Sequence, residues 1–145
     1  VASLATATID WNADSVGANG PDDTGTVGVT VGSDADFAND RIRIYDKGFF
    51  MVNMGISFAQ TGTTAVIWTF RVTTSVDGAS DTFPGYDAAV YRSSANLENT
   101  VSASGIIDTT GHTTYTDVKA SVKHDNGSSQ NFQMHYGQLS VVRVG

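Results

Sequence analysis

The sequence predicts an all-β protein, folded as an antiparallel sandwich of about eight or nine short strands. Gly occurs 15 times and Pro twice in 145 residues, and they separate short segments rich in Thr, Ser and Val, as turns separate strands. The acidic residues are nearly all Asp, with Glu98 the only Glu. Asp favours turns whereas Glu favours helices, so no helix is expected.

The most regular pattern lies between residues 41 and 72. A short strand at 41–45 and a turn at 46–48 precede a strand at 49–59, and another strand follows at 65–72. In both long strands the even-numbered residues are large and apolar: Phe50, Val52, Met54, Ile56, Phe58, Val66, Trp68, Phe70 and Val72. A period of two places them on one buried face. We predict that the two long strands pair as a hairpin at the centre of the core.

Weaker patterns predict further strands at 5–11, 26–31, 86–91, 101–107, 113–123 and 132–144. Residues 14–25 are rich in Gly and Asp and are expected to form a loop or linker. The predicted organisation is therefore one domain at 24–145, preceded by an N-terminal strand and extended arm at 1–23.

Composition argues against several classes of function. Cysteine is absent, which rules out disulfides and zinc–thiolate sites and favours assembly in a reducing cytoplasm. The net charge of −7 without a basic stripe argues against nucleic-acid binding. No apolar run approaches the roughly 20 residues that span a bilayer, so no membrane contact is expected. The N-terminus lacks the pattern of a signal peptide, although one already removed would leave no trace.

Residues that could carry chemistry are few. No Gly-x-Ser-x-Gly elbow occurs, and His112, His124 and His135 lack metal-ligand spacing, so each is predicted to lie at the surface or in a turn. Asp22–Asp23 and Asp34–Asp36 could offer oxygen ligands to Ca²⁺ but lack the spacing of a calcium loop, and solvated turns are favoured. We predict a protein that is not an enzyme, without a metal or cofactor.

The aromatic residues leave one alternative open. Trp11, Tyr45, Tyr86, Tyr91 and Tyr115 could form a platform for stacking sugar rings, with Tyr86, Tyr91 and Tyr115 the main candidates. Packing in the core or at an interface is the commoner use of such residues.

Three segments carry a resemblance to a known family: IRIYDKGFFMVNMGISF at 42–58, VSASGIIDTTGHTTYTDVKASV at 101–122 and YGQLSVVRV at 136–144. In order and spacing they resemble the tumour-necrosis-factor-like jelly roll, which also occurs in phage capsid decoration proteins and fibre heads. The family often has Gly-Asp where this chain has Gly111-His112. Its disulfides and receptor loops find no match, so no binding residue is carried over.

The resemblance implies a homotrimer in which one sheet of each subunit packs around a three-fold axis. The opposite face of the two long strands independently favours an interface, because Phe49, Met51, Asn53 and Ile67 keep it partly apolar. These four residues are the predicted trimer interface. The alternative is that the first strand or a loop of the same subunit covers them.

These patterns favour a structural virion protein, a trimeric decoration or cement protein on the outer capsid of a tailed bacteriophage. It would bind the major capsid protein through its arm, with Leu4, Ile9 and Trp11 as the apolar contacts, after assembly in the host cytoplasm. The alternative is the receptor-binding head of a phage fibre or spike that recognises a host glycan or protein. A secreted cytokine-like or collagen-type head fits a cysteine-free chain less well.

Overall fold

The computed structural model describes residues 7–8, 26–28, 33–36, 40–92, 97–128 and 130–145. These ranges contain no helix. They form ten strands: β1 Ala7–Thr8, β2 Thr26–Gly28, β3 Ser33–Asp36, β4 Arg41–Ile44, β5 Phe49–Gln60, β6 Val66–Val76, β7 Asp87–Arg92, β8 Glu98–Asp108, β9 Thr116–His124 and β10 Phe132–Arg143. The predicted all-β class is confirmed.

The strands form two sheets that pack face to face. The six-stranded sheet has the order β3-β4-β9-β6-β7, with β1 also paired to β9, and the four-stranded sheet has the order β2-β10-β5-β8. All pairings are antiparallel except that of β2 with β10. From β4 to β10 the chain crosses repeatedly between the sheets. This crossing gives the predicted jelly-roll sandwich.

The core lies between the sheets and follows the predicted alternation. On β5 and β6 the side chains of Phe50, Val52, Met54, Ile56, Phe58, Val66, Trp68, Phe70 and Val72 are all buried. Four aromatic residues meet at one end of the sandwich, where the ring centroid of Phe58 lies 4.7 Å from that of Phe70 and that of Trp68 lies 5.2 Å from that of Phe132. Complete burial of such side chains is the main source of stability.

The predicted hairpin between the two long strands is wrong. β5 pairs with β10 and β8 in the four-stranded sheet, whereas β6 pairs with β9 and β7 in the six-stranded sheet. A period of two identifies the buried face of a strand but not its neighbour. The apolar faces of β5 and β6 do meet, but across the core rather than side by side.

One turn prediction and one strand prediction also need correction. Asp34–Asp36, predicted as a solvated turn, lies in β3, which pairs with β4. The strand predicted at 113–123 begins only at Thr116, because residues 109–115 form a loop. Asp residues in a two-residue repeat look like a turn, yet β3 is an edge strand, where charged residues are common.

Tyr86 closes one open side of the sandwich. It precedes β7, at the edge of the six-stranded sheet, and its hydroxyl donates a hydrogen bond of 2.5 Å to the Ile106 carbonyl oxygen on β8, the edge of the other sheet. Its ring lies against Gly105, where a Cβ atom would come within 2.1 Å of the ring. Glycine at position 105 is therefore required for this contact between the two edges.

The predicted arm at 1–23 is only partly described. Ala7 and Thr8 pair with Val122 and Ser121 of β9 in the same chain, so this short piece of the predicted arm is attached to the body. Leu4, Ile9 and Trp11 lie outside the described residues, as do Asp22 and Asp23. The boundary between residues 23 and 24 stays a prediction.

Candidate functional site

An exposed apolar surface occupies one end of the outer face of the four-stranded sheet. Val142, Met51 and Ile106 lie opposite one another on β10, β5 and β8, and Phe49 and Val144 lie beside them. Each of the five side chains is between 37% and 53% exposed. We call these five residues the apolar patch. Because Val142, Met51 and Ile106 are direct cross-strand neighbours and Phe49 and Val144 flank this row, they form one surface rather than scattered exposed side chains.

Backbone contacts hold the end of the chain beside β5 and so position the patch. The Phe49 N–H donates to the Gly145 carbonyl oxygen at 2.8 Å, and the Val144 N–H donates to the Phe49 carbonyl oxygen at 2.9 Å. Gly48 has a φ of +149°, and a Cβ atom there would lie 2.3 Å from the Gly145 oxygen. Glycine at position 48 therefore allows this close approach.

Small polar residues and charges border the patch. The next row across β10, β5 and β8 is Ser140, Asn53 and Ser104. At the other side Arg143 Nη1 donates to Asp46 Oδ2 at 2.9 Å. Asp108, opposite Phe49, accepts from the Thr110 hydroxyl and backbone N–H, and these hydrogen bonds lower the pKa of its carboxyl. An apolar centre with a polar rim is the usual anatomy of a protein interface.

The structure divides the four residues predicted as the trimer interface. Phe49, Met51 and Asn53 share the outer face of β5, with Asn53 half-buried at the border of the patch. Ile67 lies on β6, on the outer face of the opposite sheet. It was grouped with the others because β5 and β6 were expected to pair, so its separation follows from the wrong hairpin.

Sequence reasoning missed three members of the patch. Ile106 lies in a strand whose outward residues are otherwise Ser, Thr and acidic residues, so it gave little signal. The signal for Val142 and Val144 was weak but present. Val141 and Val142 are consecutive, so only one of them can point to the core of a regular strand. Val141 is buried and Val142 is 45% exposed.

The tyrosines predicted as a sugar platform are not brought together. Tyr86 packs on Gly105. Tyr115 directly precedes β9, and its ring centroid lies 3.5 Å from the guanidinium carbon of Arg43. Tyr91 is 62% exposed on β7, opposite Ile67, near the other end of the six-stranded sheet. Tyr86 and Tyr115 therefore have packing roles, whereas Tyr91 and, to a smaller extent, Tyr45 (48% exposed) are available to a ligand.

The prediction of a surface or turn position is wrong for His124, whereas His112 does lie in the loop before β9. His112 is in a turn, but it is buried, with Nε2 3.0 Å from the Tyr45 carbonyl oxygen and Nδ1 3.0 Å from the Thr116 hydroxyl. Because a carbonyl oxygen only accepts, Nε2 donates to it, and in the neutral ring Nδ1 then accepts from the Thr116 hydroxyl. His124 ends β9, buried against Trp68 with ring centroids 5.3 Å apart. His135 is half-buried on β10.

Asp117 ties β4 to β9 on the outer face of the six-stranded sheet. Its carboxylate accepts from Arg43 Nε at 2.7 Å, from Arg43 Nη2 at 2.9 Å and from Arg41 Nη1 at 3.1 Å. The Asp117 side chain is 3% exposed. The hydrogen bonds to Asp117 raise the pKa of Arg43 above its usual value, although burial acts in the opposite direction. The cluster is a structural ion-pair network rather than a reactive site.

Asp77 fastens the loop before β9 to the end of β6. Its carboxylate accepts the backbone N–H groups of Thr113 at 2.7 Å, Thr114 at 2.7 Å and Tyr115 at 3.0 Å. These hydrogen bonds, that of Thr113 first, lower the pKa of Asp77 from its usual 3.8 to about 2. A carboxylate held by three backbone donors is a common means of fixing a loop.

The Asp77 contact should make stability depend on acidity. Its folded pKa lies below its unfolded pKa, so the unfolded state binds more protons between these values, and stability falls as the pH falls through that range. The contribution is complete above about pH 5 and lost near pH 2. Asp77 has a φ of +49°, a conformation that Asn tolerates and Ala does not. We therefore expect Asp77→Asn to lower the thermal midpoint at pH 7 and to leave it nearly unchanged below pH 2.

Asp81→Asn provides the comparison, because within the described residues the Asp81 carboxylate, 36% exposed, accepts only from the ammonium of Lys119, at 2.9 Å. Exposed pairs of this kind contribute little, so its effect at pH 7 should be smaller. Equal shifts for both variants at pH 7, or an Asp77 effect that persists at pH 2, would show that the backbone hydrogen bonds are not the cause.

No group of three or more residues that could hold a metal ion occurs within the described ranges. In the same part of the chain no helix is long and apolar enough to cross a membrane.

The chain can be compared with known proteins by sequence and by structure. No protein-family model matches this sequence, and no curated protein matches it. Among solved structures the chain is similar to that of Eiger TNF from S. frugiperda, with a TM-score of 0.44 and 9% sequence identity. The match covers 78% of this chain and 69% of that chain.

Proposed function

We propose that this protein is a non-enzymatic structural virion protein, a homotrimer that decorates the outer capsid surface of a tailed phage and binds the major capsid protein. It would assemble in the host cytoplasm. The observation that carries the proposal is the apolar patch. Five large side chains on one flat sheet face, with a polar rim, suit burial against identical faces of other subunits.

The described N-terminal strands favour a second copy over an intramolecular cover. β1 joins the six-stranded sheet, on the opposite side of the sandwich from the apolar patch. β2 extends the four-stranded sheet at its β10 edge, in the plane of the sheet rather than over its face. Neither of these two described strands therefore covers the patch.

Met51→Asp should convert the trimer into monomers. Met51 lies in the central row of the patch, and a carboxylate there would be buried without a partner in the assembled protein. A stable interface buries on the order of 1,600 Å² in total. Sedimentation equilibrium measures the molecular mass and so distinguishes trimer from monomer. The far-UV circular dichroism should stay unchanged, because Met51 points away from the core.

Ile67→Asp is the matched control. Ile67 is 42% exposed and Met51 is 37% exposed, but they lie on opposite sheets. The Ile67→Asp variant should remain a trimer. A wild-type protein that is monomeric at micromolar concentration, or equal dissociation of both variants, would contradict self-association through the apolar patch.

Attachment to the capsid depends on the N-terminal segment in this proposal. Replacing Leu4, Ile9 and Trp11 together by Ser should leave the trimer intact but abolish its rebinding to capsids stripped of the protein. The reason is that these are the large apolar side chains of the predicted arm. Pelleting of the capsids with wild-type or variant trimers measures rebinding.

Equal rebinding of the variant would argue against the arm as the contact. Failure of the wild-type trimer to bind capsids, together with binding to host cells, would favour the second candidate, the receptor-binding head of a fibre or spike. That candidate is supported by the openly exposed Tyr91 on the outer face of the six-stranded sheet, which remains accessible in a trimer formed through the other sheet.

A further inference from the structure

A shallow pocket lies on the outer face of the six-stranded sheet, between the ends of β6 and β9. Its volume is about 220 Å³, and it is lined by Ile67, Thr69, Lys123, His124 and Asp125. Asp125 closes the end of the pocket, because its Oδ1 accepts the Ile67 N–H at 2.8 Å and its N–H donates to the Ile67 carbonyl oxygen at 3.3 Å. Both contacts fix the Asp125 carboxylate beside the pocket.

An exposed aromatic side chain lies outside the pocket lining, next to Ile67. Tyr91 on β7 lies opposite Ile67 on β6, so the two side chains are on the same face of the sheet. Tyr91 is 62% exposed and Ile67 is 42% exposed. A large exposed tyrosine beside an exposed isoleucine provides a flat surface on which the C–H face of a ring can pack, with the phenol free for water or ligand.

The polar groups of the pocket are complementary to hydroxyl groups. Lys123 offers three N–H donors, Asp125 Oδ2 is an acceptor, and Thr69 offers a hydroxyl that does both. Within the described residues the side chains of Lys123 and Thr69 form no hydrogen bond, although Lys123 and Thr69 are direct cross-strand neighbours. The ammonium of Lys123 and the carboxylate of Asp125 balance in charge, so the pocket does not favour an ionic ligand.

We propose that this pocket binds one neutral pyranose ring, packed on Tyr91 and Ile67 and hydrogen-bonded through its hydroxyls to Lys123, Asp125 and Thr69. The volume is below that of typical sites for larger ligands and admits one ring rather than a chain. The pocket lies on the sheet opposite the apolar patch, so sugar binding does not depend on the proposed self-association.

Nuclear magnetic resonance titration of the full chain tests this proposal. Glucose, galactose, mannose and N-acetylglucosamine are the probes, with glucuronic acid and sialic acid as charged comparisons. At least one neutral sugar should shift the backbone amide signals of Ile67, Thr69 and Asp125, with a dissociation constant on the order of 1 mM, as expected of one ring on a shallow surface.

Tyr91→Ala should weaken binding about tenfold, whereas Tyr91→Phe should retain most of it. Tyr136→Ala is the control, because Tyr136 is 46% exposed on the four-stranded sheet. It should bind like the wild type. The proposal is overturned if no neutral sugar shifts these signals at about 50 mM, far above the expected dissociation constant, if only the charged sugars do, or if Tyr91→Ala binds unchanged.

Discussion

Replacing Trp68 by alanine should lower the free energy of unfolding by about 3–5 kcal/mol, as is usual for a large buried aromatic residue. Trp68 is fully buried, and its ring centroid lies 5.2 Å from that of Phe132 and 5.3 Å from that of His124. The substitution would leave a cavity between the sheets that rigid strands cannot close. Chemical denaturation measures the loss directly.

The indole of Trp68 also has a polar role. Its Nε1 donates to Gln60 Oε1 at 3.0 Å, and Gln60 Nε2 in turn donates to the carbonyl oxygens of Gly62 and Thr64 at 2.6 Å and 2.7 Å. Gln60 thereby connects the core to the turn between β5 and β6. Trp68→Ala leaves the Gln60 oxygen buried without its donor, which adds to the cost of the cavity.

Two variants separate these contributions. Trp68→Phe keeps much of the packing but removes the N–H donor, so its effect should fall between those of wild type and Trp68→Ala. Ile67→Ala changes the neighbouring exposed side chain and should cost less than about 1 kcal/mol. A loss below about 1 kcal/mol for Trp68→Ala would show that its side chain does not face the core.

Replacing Asp117 by alanine should have the next largest effect, a loss of about 2–3 kcal/mol. Asp117 is almost completely buried, and its removal takes the Asp117 carboxylate away from the guanidinium groups of Arg41 and Arg43. Those side chains are 21% and 19% exposed, so water replaces part of the lost interaction. The expected loss therefore lies below that of a fully buried pair.

Asp87→Ala is the control for the Asp117 variant. Asp87 lies 3.7 Å from Arg71 and is 40% exposed, so its loss should cost less than about 1 kcal/mol. Chemical denaturation at pH 7 compares the two variants under equal conditions. Equal losses would show that burial and bidentate geometry do not strengthen the Asp117 contact.

The alternation of residues on β5 and β6 predicted the core correctly because it is a local property of each strand. The alternation predicted that Phe50, Phe58 and Trp68 are buried, and they are. The choice of strand neighbours is not local, since β10 is the partner of β5 and lies far along the chain. For that reason the hairpin was wrong and Ile67 was placed on the wrong sheet.

The candidate site depended on the same non-local information. Phe49 and Met51 could be identified from β5 alone, but Ile106 and Val142 join them only because β8 and β10 flank β5. The pocket beside Tyr91 likewise requires β6, β7 and β9 to be neighbours. The burial of His112 could not be predicted, because its acceptor, the Tyr45 carbonyl oxygen, lies 67 residues away.

The arrangement of strand partners also bears on the rate of folding. Of the eight strand pairings in the described part of the chain, only β3 with β4 and β6 with β7 join consecutive strands. Every pairing in the four-stranded sheet joins distant segments, and two of its three pairings involve β10. Loops must therefore close at an entropic cost before their contacts stabilise the chain. Such proteins fold on the order of milliseconds to seconds, and the sheet that carries the apolar patch cannot be completed until β10 has been synthesised.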